Sequence, residues 1–140
     1  VQRTAKVAED TYINPSYLDQ ALVYEFCKRG WLEEHLVFLK ELYGHRRDVM
    51  ADVMEHYLKG LSDWIRPDGG FFIGSFVKKA VNADALMKHA LNHGLKLTDG
   101  RGFYTQGGDQ FVRLPFCALE DAQIEAGIAR LAETIETYHE

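Results

Sequence analysis

The sequence predicts an α+β fold: a small, mainly antiparallel sheet with helices packed on one face. Three observations predict it. Apolar residues recur at helical spacing in four separate segments, β-rich runs follow turn signals, and the two kinds of segment alternate along the chain. The expected order is helix, long helix, strand, helix, strand, strand, helix.

The chain opens on Val1 and a polar stretch, Gln2-Arg3-Thr4, with no clear element, as a piece of a longer protein would. Asn14-Pro15-Ser16 reads as a helix start, because Asn caps free N–H groups and Pro suits the first helical position. Leu18, Ala21, Leu22 and Phe26 follow at helical spacing, and Lys28-Arg29-Gly30 supplies cations and a glycine stop. Trp31 opens a longer helix whose stripe runs Leu32, Leu36, Leu39, Tyr43, Met50, Val53, Tyr57 and Leu61. Glu33 and Glu34 sit at the positive end of its dipole. Gly44 weakens this helix by about 1 kcal/mol relative to Ala without having to break it.

Pro67-Asp68-Gly69-Gly70 is a turn leading into a β-rich run, Phe71 to Val77. Asn82 caps a third helix carrying Leu86, Met87, Ala90 and Leu91, stopped by Asn92-His93-Gly94. Leu95 to Leu97 is a short strand candidate. A glycine-rich loop, Asp99 to Gly108, leads to a strand over Gln110 to Phe116. The last helix begins near Glu120, with Ile124, Ile128, Leu131 and Ile135 on one face.

The 140 residues fit one ordinary domain, and 46% hydrophobic with 26% charged residues is the usage of a globular protein with a real core. A formal net charge of -5 argues against a nucleic-acid surface. No apolar run approaches the ~20 residues needed to cross a bilayer, and the cytoplasm is the expected setting. Cys27 and Cys117 lie far apart without a CxxC pairing, so buried free thiols are expected, with a disulfide as the alternative.

Five motifs then fall in a recognisable order. Pro67-Asp68-Gly69-Gly70-Phe71-Phe72-Ile73-Gly74 resembles the P-x-G-G-x-F strand that opens the small-domain sheet of fold-type-I aminotransferases, enzymes dependent on pyridoxal 5'-phosphate (PLP). Ala83-Asp84-Ala85-Leu86 through His93-Gly94-Leu95 is similar to the helix that follows it. Gly100-Arg101-Gly102-Phe103-Tyr104 resembles the G-x-x-F loop, Phe111-Val112-Arg113-Leu114-Pro115-Phe116 the R-L-x-F strand, and Glu125 to Leu131 the E-x-G-I-x-R-L terminal helix. Upstream, Gln20-Ala21 and the stretch from Trp31 to Asp48 resemble the family's interdomain helices. The branch resembled contains 2-aminoadipate and kynurenine aminotransferases and the aminotransferase-like domains of MocR-type regulators. Asp99-Gly100 departs from the Pro-Gly that many members carry.

The resemblance implies a C-terminal small domain over 1–140, with interdomain helices at 14–64 and a sheet-and-helix core at 67–140. The large PLP-binding domain lies outside this chain. It implies that Arg113 binds the substrate's α-carboxylate, a role suited to a planar guanidinium with two parallel donors. From the pattern alone, Arg113 could equally snorkel from an edge strand or pair with a buried Asp. The Schiff-base lysine and the pyridinium-binding aspartate belong to the large domain in this family. None of the lysines here stands in an S-x-S-K context, so no catalytic or cofactor-binding residue is assigned, and the chain alone is expected to bind no PLP and to be inactive. The parent's implied partners are amino acid and 2-oxo acid substrates, its own large domain and a second copy in a homodimer. The alternatives are an effector-sensing domain of a MocR-like transcription regulator, a PLP-dependent lyase or decarboxylase, or a free carboxylate-binding domain.

Other residues carry weaker signals. His89 and His93 have two-His metal spacing but no third ligand, and read as surface histidines at a helix C-terminus. His45-Arg46-Arg47 reads as a solvated helix face or an interdomain salt bridge. Gly100-x-Gly102 does not sit between a strand and a helix as a dinucleotide fingerprint must. Phe103 and Tyr104 read as loop anchors in the core, with Tyr104 bordering the substrate pocket as the alternative. Apart from the rest of its parent, the long helix would expose apolar surface, so the isolated chain should self-associate; sedimentation as a clean monomer at high concentration would contradict this.

Overall fold

A computed structural model describes residues 2–12 and 16–139. The chain divides into two compact units, Val1–Lys40 and Glu41–Glu140. Helix α3, Trp31–Tyr57, begins in the first and ends in the second.

The first unit holds α1 (Gln2–Tyr12), α2 (Tyr17–Lys28) and the start of α3. The polar opening of the chain is thus helical, supported by Lys6 pairing with Glu9 at 3.6 Å and Asp10 at 3.3 Å. Helix α2 begins two residues later than expected. Its cap is Ser16, whose Oγ accepts from the Asp19 N–H at 3.3 Å; Asn14 and Pro15 lie outside the described residues. No residue of α2 is buried, and Tyr17, Leu18, Leu22, Val23 and Tyr24 are all exposed. Phe26 meets the Trp31 ring edge-on at 5.9 Å, and Gly30 makes the turn at φ +76°. Cys27 is an exposed free thiol and Cys117 a half-exposed one, so neither is buried as expected.

The second unit carries the sheet. Strands β1 (Ser62–Trp64), β2 (Phe72–Val77) and β3 (Phe111–Pro115) pair antiparallel in sequence order. Helix α4 (Ala83–Asn92) follows β2, and α5 (Asp121–Thr137) closes the chain. Strand pleating divides the sheet into two faces. Ile73, Ser75, Val77, Val112 and Leu114 point inward and are buried. Against them pack Met50, Ala51, Met54 and Leu58 from the α3 side, Leu86 from α4, and Ile124, Ile128, Leu131 and Ile135 from α5. The opposite face is open, and Phe76 on it is 46% exposed.

Local signals explain these boundaries. Asn82 caps α4 by accepting from the Ala85 N–H at 3.0 Å, and Gly94 closes it at φ +70°. Gln123 accepts from the Glu120 N–H at 2.9 Å, which fixes the start of α5. Helix α3 runs unbroken through Gly44 but ends at Tyr57, so Leu61 lies beyond it, in the turn into β1. Leu95–Leu97 forms no strand. Leu95 donates to the Ala90 carbonyl at 2.9 Å, and Leu95 and Leu97 pack on the core from an unpaired segment. Their alternation reflects inward packing without a sheet edge to join.

Ser62 and Ser75 face inward with buried hydroxyls that have no hydrogen-bond partner among the described residues. A buried unsatisfied hydroxyl costs stability. Ser75→Ala is therefore expected to raise the stability of the chain by on the order of 1 kcal/mol. Urea unfolding with a higher midpoint and an unchanged slope would show it; a lower midpoint would mean that the hydroxyl is satisfied.

Candidate functional site

The open face of the sheet is built by the same alternation that builds the core. Phe72, Gly74 and Phe76 on β2 share it with Phe111, Arg113 and Pro115 on β3, and the register sets Gly74 directly opposite Arg113. Gly74 leaves room there for a ring. A Cβ at this position would lie 2.8 Å from Cε2 of the Phe111 ring, which covers the glycine.

Arg113 is half-buried among rings. Its guanidinium carbon lies 3.5 Å from the Phe72 ring centroid and 4.8 Å from that of Phe103, both within cation–π range. Among the described residues it has no carboxylate partner, so the sequence alternative of a buried Asp does not occur. Stacking holds the guanidinium by its faces and leaves the in-plane N–H donors to other groups. A planar anion with two oxygens matches donors so arranged.

Phe103 comes from a 3-10 turn, Gly100–Phe103, in the loop beside β3. The loop lies tight against the strand. A Cβ on Gly100 would fall 2.1 Å from the Phe111 carbonyl oxygen, and Gly108, at φ +93°, passes under the Tyr104 ring. Phe103 and Tyr104 are therefore not core anchors as expected. They are 49% and 41% exposed and join the outer face, with centroids 6.0 and 5.4 Å from Phe111.

The loop also holds a charge cluster that the sequence reading missed. Arg101 donates through Nη1 and Nη2 to both carboxylate oxygens of Asp84, at 3.1 and 2.6 Å. It donates to Asp99 through Nε at 3.0 Å and Nη2 at 2.8 Å, and Asp99 also caps the turn by accepting the Arg101 N–H at 3.0 Å. Asp99 and Asp84, both bonded to Arg101, thus tie the loop to α4. Hydrogen bonds from Arg101 hold both carboxyls below the usual carboxylate range, and those carboxylates, Asp99 first, push Arg101 up. The cue available in the sequence was the pairing of Asp99 with Arg101, two residues apart at a turn.

The remaining sequence candidates lie elsewhere. His89 stacks edge-on with His93 at 4.7 Å, its Nε2 lies 3.0 Å from the Thr137 Oγ1, and His93 Nδ1 lies 3.9 Å from Glu133, so the pair faces α5. His45 Nε2 is 2.7 Å from Asp121, and Arg46 donates to the Cys117 carbonyl at 2.8 Å and to Glu120 at 3.0 Å. Arg47 donates to Asp48 at 2.8 Å and to the Asp68 carbonyl at 3.0 Å. Arg66 first, then Arg47, holds the Asp48 carboxyl low. These contacts join α3 to the start of α5 and to the turn before β2.

A PLP site needs a lysine held in a dehydrated cleft. All eight lysines here are exposed, and Lys6, Lys28, Lys59, Lys78 and Lys79 are paired at the surface. The residues of this chain do not fit the cofactor's attachment.

No family model matches the chain. Aromatic-amino-acid aminotransferase 1 of Thermococcus litoralis is 27% identical over 118 residues, 84% of this chain and 28% of that protein. The uncharacterized HTH-type transcriptional regulator YisV of Bacillus subtilis is 27% identical over 135 residues, 96% of this chain and 28% of its own length. The solved multiple substrate aminotransferase of Thermococcus profundus shares the fold with a TM-score of 0.84 at 27% identity, over 93% of this chain and 32% of that one. The α-aminoadipate aminotransferase LysN of Thermus thermophilus, complexed with N-(5'-phosphopyridoxyl)-L-leucine, gives a TM-score of 0.84 at 24% identity, over 94% and 34%, a likeness of fold. The relatives and neighbours are fold-type-I aminotransferases, with MocR-like regulators alongside. The chain spans about a third of their length.

The charge cluster sets an acid response. Asp84 and Asp99 have folded-state pKa values below the unfolded value of about 4, so their contribution is complete above it and is lost as pH falls through the folded values. Carboxyl carbon-13 titration is expected to give both residues depressed midpoints that return to about 4 in Arg101→Gln. That variant should be less stable at neutral pH and lose less stability on acidification. Equal acid sensitivity in the two proteins would remove the cluster from the account.

Proposed function

We propose that the chain is the C-terminal small domain of a PLP-dependent aminotransferase, and that Arg113 binds the α-carboxylate of an amino acid and of its 2-oxo acid partner. One observation carries the role of Arg113: a half-buried guanidinium, stacked on Phe72 and Phe103, without a carboxylate partner among the described residues. A cation kept in an aromatic setting loses solvation and regains it from a bound anion. Two parallel N–H donors then fix the orientation of a carboxylate and, through it, of the bond to be broken at Cα.

PLP supplies the electron sink for transamination when bound. Its lysine and its pyridinium partner are assigned to a large domain outside residues 1–140, in keeping with the exposed lysines of this chain. The chain's own contribution is to bind and orient. In the parent, a homodimer in the cytoplasm is the setting the family resemblance implies.

A second reading is favoured by the match to YisV, which covers the chain as fully as the enzymes do. In a MocR-like regulator, the same sheet face would sense a ligand carboxylate while a winged helix elsewhere in the parent binds DNA. A lyase or decarboxylase would keep Arg113 in the same role. The parent's sequence separates the first two, through the presence or absence of a winged helix.

Borohydride reduction of the parent protein is expected to fix PLP onto a lysine outside residues 1–140. Arg113→Lys should weaken kcat/KM, or ligand affinity in a regulator, by roughly 10- to 100-fold, because one ammonium cannot reproduce two parallel donors. Unchanged kinetics and affinity in Arg113→Lys would rule out the carboxylate role.

A further inference from the structure

We infer that Arg101 is a positioning residue for the Arg113 site: tied to α4 through Asp84, it holds the turn that keeps the Phe103 ring against the Arg113 guanidinium. The inference rests on Arg113 as the carboxylate anchor and names the residues on which that anchor depends.

The ring needs a hold of its own. Phe103 is half-exposed, and its ring meets the Arg113 guanidinium at 4.8 Å and the Phe111 ring edge-on at 6.0 Å. Contacts of this kind at an exposed position are weak, of the same order as the entropy recovered when a loop residue is released. Among the described residues, no backbone hydrogen bond joins the turn Gly100–Phe103 to β3, although Gly100 lies close against that strand. The core takes Leu95 and Leu97 before the turn and Val112 after it. Neither the sheet ladder nor the core holds the turn itself.

Arg101 supplies that hold. Its Nη1 and Nη2 donate to the two Asp84 oxygens at 3.1 and 2.6 Å, the paired geometry in which an arginine–carboxylate contact is both strong and directional. Its Nε and Nη2 donate to Asp99 at 3.0 and 2.8 Å. A lone exposed ion pair adds little, but an arginine shared by two carboxylates with one pair bidentate is the exception. The Arg101 main chain is fixed as well: its N–H donates to Asp99 at 3.0 Å, and its carbonyl accepts the Tyr104 N–H at 3.1 Å, closing the turn around Phe103. Asp84 gives the tether a firm end. It stands in the first turn of α4, between Ala83 and Leu86, which are buried, and behind the Asn82 cap. Core, α4, Asp84, Arg101, Phe103 and Arg113 thus form one continuous path of contacts.

The test uses the full-length parent protein and propanoate, a carboxylate with a minimal apolar body, whose binding is followed by ligand-observed proton NMR. Asp84→Ala cuts the tether at its α4 end, at an exposed side chain, and so spares the core. Asp84→Ala and Arg101→Gln are each expected to weaken propanoate binding by roughly 3- to 10-fold, and Phe103→Ala by a similar factor. Neither should cause a further loss when combined with Phe103→Ala, because both act through that ring, whereas a general loosening of the fold would add to it. With 4-fluorophenylalanine in place of Phe103, the fluorine resonance should move in Asp84→Ala toward that of an unpacked ring. Arg113→Gln reports on the anchor separately. If it weakens binding while Asp84→Ala leaves binding or the fluorine resonance unmoved, or adds its loss to that of Phe103→Ala, the inference falls and the anchor stands. If Arg113→Gln leaves binding as it was, no binding to the wild type included, the anchor falls and the inference with it.

Discussion

The antiparallel pairing of β2 with β3, in one register, is the constraint from which both the core and the candidate site follow. Pleating alternates side chains across a sheet, so the register that turns Ile73, Val112 and Leu114 into the core turns Phe72, Phe111 and Arg113 out together. A slip of β3 by one residue would bury Arg113 and expose Val112 and Leu114 at once. The buried face therefore holds the functional face in place. Its helices supply the apolar surface that makes every other register costly, and no residue of the outer face has to stabilise the fold for the site to form.

The second dependency is the close approach of the loop after α4. Helix α4 is set by the Asn82 cap and by Leu86 in the core, and it carries Asp84 outward. Asp84 and Asp99 then converge on Arg101, which anchors the loop where Gly100 lets its backbone touch β3. Because Phe103 is two residues from Arg101, the charge cluster fixes the ring that stacks on Arg113. The two arginines have opposite fates for a chemical reason: one meets two carboxylates and becomes a structural tie, and the other, among the described residues, stacks on rings and meets no carboxylate.

Much of this was legible in the residues. Strand β2 and strand β3 announce themselves by β-rich runs after glycine turns, and α4 and α5 by caps and clean apolar spacing. Arg113 drew notice because a cation between Val112 and Leu114 contradicts an apolar strand. What stayed hidden was tertiary in origin. Strand β1 is three residues long and pairs only because β2 offers an edge, so Ser62–Trp64 carries no periodic signal. Leu95 and Leu97 alternate like a strand yet lack a neighbour to pair with. Phe103 and Tyr104, apolar in type, read as core when spacing alone was available, because the sequence does not say which face of a sheet a loop crosses. Helix α1 was missed for a related reason: a polar helix held by ion pairs at its surface shows no apolar stripe.

The same distinction bears on what the open face can do. An aromatic surface left uncovered in a fold is ordinarily a liability, since it invites association. Here the rings are positioned by three glycines and a charge cluster around a cation that has no carboxylate partner among the described residues, and the glycines and the desolvated cation cost stability that a plain polar surface would not. Gly74, Gly100 and Gly108 weaken the strand and loop they occupy, and Arg113 gives up hydration. A sheet that needed only to close its own core would do better with polar residues on its outer side. The expense falls on one patch, around one arginine, which is the distribution expected where local rules are broken for a site and not for the core.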